Sequence, residues 1–123
     1  MRTQKHYFYA IGAQEFKAQL FERAEEIGYW MDFPELHNYM VKQWKIRAQV
    51  TENLKGQRLP IDADDLAALA AMFVKNKDLK GCPSEAKYGH WCNMQENLGM
   101  IGKLAFHIHE RNKVVYYQCV TTE

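Results

Sequence analysis

The stretch that most constrains the fold is the C-terminal run, residues 100–120, where apolar and polar side chains alternate. In residues 103–109, Leu104, Phe106 and Ile108 fall on one side of an extended chain, and Lys103, His107 and His109 on the other. A period of two marks a strand with one buried face. The run that follows, Val114-Val115-Tyr116-Tyr117-Gln118-Cys119-Val120, is rich in β-branched and aromatic residues, which suit a pleated, half-buried surface. Glu110-Arg111-Asn112-Lys113 between them has a normal hairpin-loop length. The pattern predicts a C-terminal hairpin. A lone hairpin is marginal in water, so it needs a third strand or a helix layer. His6-Tyr7-Phe8-Tyr9-Ala10-Ile11, ending at Gly12, reads as that third strand, and either hairpin strand can pair with it.

Helical periods fill the middle of the chain. In residues 14–27, Phe16, Leu20, Ala24 and Ile27 recur at helical spacing, and Gly28 stands where a terminating glycine belongs. Asp32, Pro34 and Glu35 form a helix-start signal. The second helix is expected to run to about Leu54 and stop at Gly56. It carries a wide apolar band of Leu36, Tyr39, Met40, Trp44, Ile46, Val50 and Leu54. A third helix starts at Asp62, with Asp62 and Asp65 in the capping positions and Leu66, Leu69, Ala70 and Phe73 as its buried stripe. Residues 81–99, broken by Gly81-Cys82-Pro83, read as a loop with a short helix. Helices are segregated from strands along the chain, which predicts an α+β fold. The expected architecture is a small antiparallel sheet, made of the N-terminal strand and the C-terminal hairpin, with about three helices packed on one face.

Composition narrows the function classes. At 123 residues the chain is expected to be one domain, residues 1–123, with 47% hydrophobic and 25% charged residues, as in ordinary folded domains. A formal net charge of +1 supplies no global attraction to nucleic acid or to an anionic membrane. No apolar run approaches the ~20 residues of a membrane span. The N-terminus lacks an apolar signal core, and three cysteines are too few for a disulfide framework. A cytoplasmic protein with reduced thiols is expected.

The chemistry-bearing residues support several readings. Cys82, His90, Cys92 and Cys119 could supply zinc ligands, since zinc takes four nitrogen or sulfur donors. Against this, the Cys-x2-Cys pair usual in structural sites is missing, and a free cysteine commonly serves as a small buried hydrophobe. Cys92 beside His90 also allows a thiol nucleophile, but no third orienting group accompanies them, and no catalytic residues are assigned. Lys42, Lys45 and Arg47 form a local basic stretch suited to nucleic acid, although lysines on a helix back are usually just solvated.

The aromatic content points elsewhere. Three Trp, seven Tyr, six Phe and six Met are many for so short a chain, and Tyr, Trp and Met are enriched at protein interfaces. Tyr7, Tyr9, Trp30, Trp91 and Tyr117 are the candidate partner-binding residues. The expectation is a non-catalytic binding module without cofactor, engaging a protein or nucleoprotein partner, with homodimerisation open. An accessory or inhibitor role, of the kind small phage and mobile-element proteins have, fits the size. A nucleic-acid-binding domain, possibly zinc-stabilised, and a small cysteine-dependent enzyme are the alternatives.

Overall fold

The computed structural model describes residues 3–48, 58–75, 82–83 and 94–122. The chain order is β1 (Thr3–Gly12), α1 (Ala13–Lys17), a 3₁₀ turn (Phe21–Arg23), β2 (Glu25–Met31), α2 (Pro34–Ala48), β3 (Leu59–Pro60), α3 (Ala63–Lys75), β4 (Cys82–Pro83), α4 (Met94–Ile108) and β5 (Lys113–Thr122). The strands form one antiparallel sheet in the order β3-β5-β1-β2-β4. The α+β class is as the sequence implies; α2, α3 and α4 share one sheet face, while Phe16 of α1 meets Tyr116 on the other.

Two segments depart from the sequence reading. Residues 103–109 are not a hairpin strand but the last turns of α4. Asn97, Met100, Ile101 and Leu104 are its buried residues, a period near 3.6, while Phe106 is 70% exposed. The short alternation in Lys103–His109 is therefore the tail of a helical stripe that begins before Gly99. Gly99 and Gly102 lie on the exposed side of α4, where nothing stands within 4 Å of an added Cβ, so neither interrupts packing. The polar residues 110–113 still reverse the chain, but from helix to strand, with Asn112 in the left-handed region at φ 58°. Strand β5 pairs with β1 along its whole length, Phe8 opposite Tyr117 and His6 opposite Cys119.

The helix expected over residues 14–27 is also replaced. It breaks into α1, the 3₁₀ turn and β2, which pairs antiparallel with β1. Gly28, taken as a helix terminator, sits opposite Phe8 in the sheet and is buried there. The pairing shifts between Phe8 and Tyr9, and Ile27 is the extra residue of the bulge, turned into the core. The β-prone run Ile27-Gly28-Tyr29-Trp30-Met31 outweighs the helical spacing before it, because pairing with β1 satisfies its backbone and buries Trp30.

The remaining helices follow their sequence signals closely. In α3, Asp65 N–H donates to Asp62 Oδ1 (3.1 Å) and Asp62 N–H donates to Asp65 Oδ2 (2.9 Å), the reciprocal capping expected at those positions. In α2 the start signal works differently. Asp32 caps nothing in the helix; its Oδ1 accepts the Gln4 N–H (2.9 Å) and its own N–H donates to Gln4 O (2.8 Å). The lower part of the wide α2 band, Val50 and Leu54, lies outside the described residues, and Ile46 is exposed.

One core cluster joins the inner sheet face (Phe8, Trp30, Tyr117) to α2 (Leu36, Met40), α3 (Leu69, Phe73) and α4 (Met100, Leu104). Trp30 anchors it, donating its Nε1–H to the buried Asn97 Oδ1 of α4 (2.9 Å) and packing against Phe8, Phe33 and Phe73. No helix among the described residues is long and apolar enough to cross a membrane.

Candidate functional site

The strand period sorts the aromatic residues into two sets. Even-numbered residues of β1 face the helices, and odd-numbered ones face away. On the outer face Tyr7 on β1 lies beside Tyr29 on β2 (ring centroids 5.0 Å) and Tyr9 (5.6 Å). Tyr9 stacks on Tyr116 of β5 (5.3 Å), and Tyr116 meets Phe16 (5.9 Å) and Phe21 (5.8 Å) from α1 and the 3₁₀ turn. The result is one continuous row of rings across three strands. Its Phe16–Phe21 end covers Tyr116 and Ile11, both buried outside the main core cluster. Its Tyr7–Tyr9–Tyr29 part is half-buried.

Charged groups frame the row. Lys5 Nζ lies 5.2 Å from the Tyr29 ring centroid at one end. At the other, the Arg58 guanidinium lies 3.9 Å from the Phe21 centroid and hydrogen-bonds the Tyr116 hydroxyl. Phe16, Lys17, Gln19, Phe21 and Arg58 line a cleft of about 440 Å³ at that end. Burial, with the nearby Glu26 carboxylate adding to it, pushes the Tyr9 hydroxyl above its usual value, so it stays a neutral donor and acceptor.

Behind the sheet lies a second constellation, buried except for the half-buried His37. Phe33 N–H donates to His6 Nε2 (3.0 Å). A backbone amide can only donate, so Nε2 is the bare nitrogen and the His6 proton sits on Nδ1, which donates to the Tyr117 hydroxyl (2.8 Å). The hydroxyl has one proton of its own, directed to His37 Nδ1 (3.1 Å) or to the Cys119 thiol beside it. Burial first, then the neighbouring His37, lower the His6 pKa from 6.5 to about 4, against a raising contribution from Asp32. Burial lowers that of His37, and burial raises that of Tyr117. All three groups are thereby held neutral near pH 7.

The ligand atoms of His6, His37 and Cys119 lie within 4.8 Å of one another, the one grouping of metal-ligand spacing among the described residues. Its hydrogen bonding does not suit a metal. Coordination through His6 Nδ1 would move the proton to Nε2, against the Phe33 N–H, and coordination through Nε2 would displace that amide. The cluster is a completed hydrogen-bond relay.

The sequence-predicted residues are divided by this arrangement. Tyr7 and Tyr9 lie side by side on the outer face. Trp30 (1% exposed) and Tyr117 (0%) are core residues, because β-pairing turns both toward the helices, and they are removed from the partner-binding set. Trp91, His90 and Cys92 lie outside the described residues, as does the Cys82 side chain, and Cys119 is buried beside His6 and His37. Lys42 and Lys45 are exposed on α2. Arg47 is not part of a free basic patch. It donates to the buried Asp65 carboxylate and to Pro60 O (3.0 Å), joining α2 to the start of α3. Tyr29, Phe16 and Phe21 are not among the binding candidates that the sequence offers. Tyr29 and Phe21 were read as part of a helical segment and its exit, and only the strand pairing brings them to Tyr7 and Tyr116.

Compared with family models, with curated proteins and with solved structures, the chain matches none.

Proposed function

We propose that this chain is a non-catalytic binding module, of accessory or inhibitor type, that engages a protein or nucleoprotein partner through the outer face of its sheet. The observation that carries this reading is the half-buried Tyr29–Tyr7–Tyr9 row on the outer face of the sheet. Tyrosine offers large contact area with a polar tip and only two side-chain torsions, so little entropy is lost when it is gripped. Here the rings already hold one another, which lowers that cost further.

Affinity capture from the native host, with wild type and with the Tyr7→Ala/Tyr9→Ala double variant, tests the reading. A partner recovered by the wild type should be lost, or recovered at least several-fold less, with the variant. Equal recovery by both would remove the outer face from the function.

A further inference from the structure

The Phe16–Phe21–Arg58 cleft carries the reading one step further, and the inference rests on that proposed outer-face docking. We propose that the cleft receives an acidic segment of a protein partner, in which an Asp or Glu carboxylate sits beside an aromatic or branched apolar side chain. Two rings of the cleft lining, Phe16 and Phe21, pack on the buried Tyr116, which in turn stacks on Tyr9 of the row. Its volume of about 440 Å³ falls in the range of sites that enclose whole ligand groups.

Its lining pairs two cations, Lys17 and Arg58, with two rings, Phe16 and Phe21. Arg58 is oriented before any ligand arrives, its plane on Phe21 and one donor on Tyr116. Its Nε is buried and has no hydrogen-bond partner. A buried donor without an acceptor costs stability, and a planar guanidinium suits a carboxylate. Gln19 adds a third sign. It holds a left-handed backbone (φ 59°), which glycine or asparagine would adopt more easily, and its side chain lines the same cleft. A primary amide there can pair with a peptide group of the guest.

Charge distribution selects a peptide over a nucleic-acid strand. A strand carries a charge at every nucleotide and needs a cationic track. The cleft lining holds two cations, Lys17 and Arg58, while the exposed Glu22, Glu25 and Glu26 follow Phe21 in the chain and Glu26 lies near Tyr9. Two cations followed by three acids match a single carboxylate rather than a polyanion.

The test is selection of random peptides displayed on phage against the full chain, followed by fluorescence-polarisation binding of a synthesised winner to wild type, Arg58→Gln and Lys17→Gln. Thermal unfolding of each protein shows whether the fold is intact, and the exposed Lys17 keeps the test alive if Arg58→Gln unfolds. The expected winners place Asp or Glu next to Phe, Trp, Tyr or Leu. They should bind Arg58→Gln roughly tenfold or more weakly, the size of a lost charge-assisted hydrogen bond. Lys17→Gln should weaken them about threefold, as for a more solvated charge. Winners without acidic residues, no enrichment at all, equal binding to both variants, or tighter binding of a single-stranded oligonucleotide than of any peptide would each overturn the proposal. Winners indifferent to both cleft variants yet lost with Tyr7→Ala/Tyr9→Ala would remove the cleft alone and leave the outer-face reading in place.

Discussion

On strand β1, neighbouring aromatic residues meet opposite fates. Phe8 is fully buried against Trp30 and Tyr117, while Tyr7 and Tyr9 on either side of it remain half-buried in a row of rings. The two faces use similar residue types and the same strands. They differ in what covers them: among the described residues, α2, α3 and α4 pack on the inner face, and α1 with its 3₁₀ turn reaches one end of the outer face. Burial follows the covering layer, not the hydrophobicity of the strand.

Four substitutions or conditions test that contrast, the largest effect first. Trp30→Ala should destabilise the protein by about 3–5 kcal/mol in urea unfolding, from lost burial, a cavity and the lost hydrogen bond to Asn97. A loss under about 1 kcal/mol would mean that the inner face is not the closed core described.

Acid should act next, through His6. Its pKa is depressed in the fold, from 6.5 to about 4, so the folded state binds its proton less readily than the unfolded chain. The stability it contributes is complete above about pH 6.5, declines as pH falls toward about 4, and levels off below. At 1.36 kcal/mol per unit this amounts to about 3 kcal/mol. Carboxylates titrate in part of the same window, so the measurement is the difference between wild type and His6→Gln, which should flatten the slope between pH 6.5 and 4. Parallel pH profiles for the two proteins would contradict the assignment.

Tyr117→Phe removes the central hydroxyl of the relay, leaving His6 Nδ1–H without its acceptor and His37 Nδ1 without its donor. The expected loss is about 1–3 kcal/mol with the secondary structure retained by circular dichroism. A neutral outcome would show that water enters and replaces the hydroxyl.

The smallest stability effect belongs to the outer face. Tyr9→Ala should cost about 1 kcal/mol, because the ring is already partly in water, while reducing partner recovery. If Tyr9→Ala destabilised as much as Trp30→Ala, the distinction between the faces would collapse.

Much of the fold was legible in local residue patterns. The third helix announced itself through Asp62 and Asp65, which cap each other in the structure as their spacing requires. The strand run at Val114–Val120 and the strand ending at Gly12 are where the β-branched and aromatic clusters place them. The segments that misled are those where a short window supports two periods. Leu104 and Ile108 are four apart, which fits both an alternating strand and a helix face; the longer stripe through Asn97, Met100 and Ile101 decides for helix. The site was half legible. Tyr7 and Tyr9 share a face by strand period alone, but their joining to Tyr29, Tyr116 and Arg58 spans separate segments of the chain.

The amino-acid order by itself determined the α+β class, the capped start of α3 and the alternation of β1, because each depends on interactions within a few residues. Only the tertiary structure decided which alternate face of β1 is sealed, that Trp30 and Tyr117 are core, and that Arg47 serves Asp65 rather than a ligand. Those outcomes depend on strand order and on which helices lie over which face. Both are set by contacts between distant parts of the chain, which no local period records.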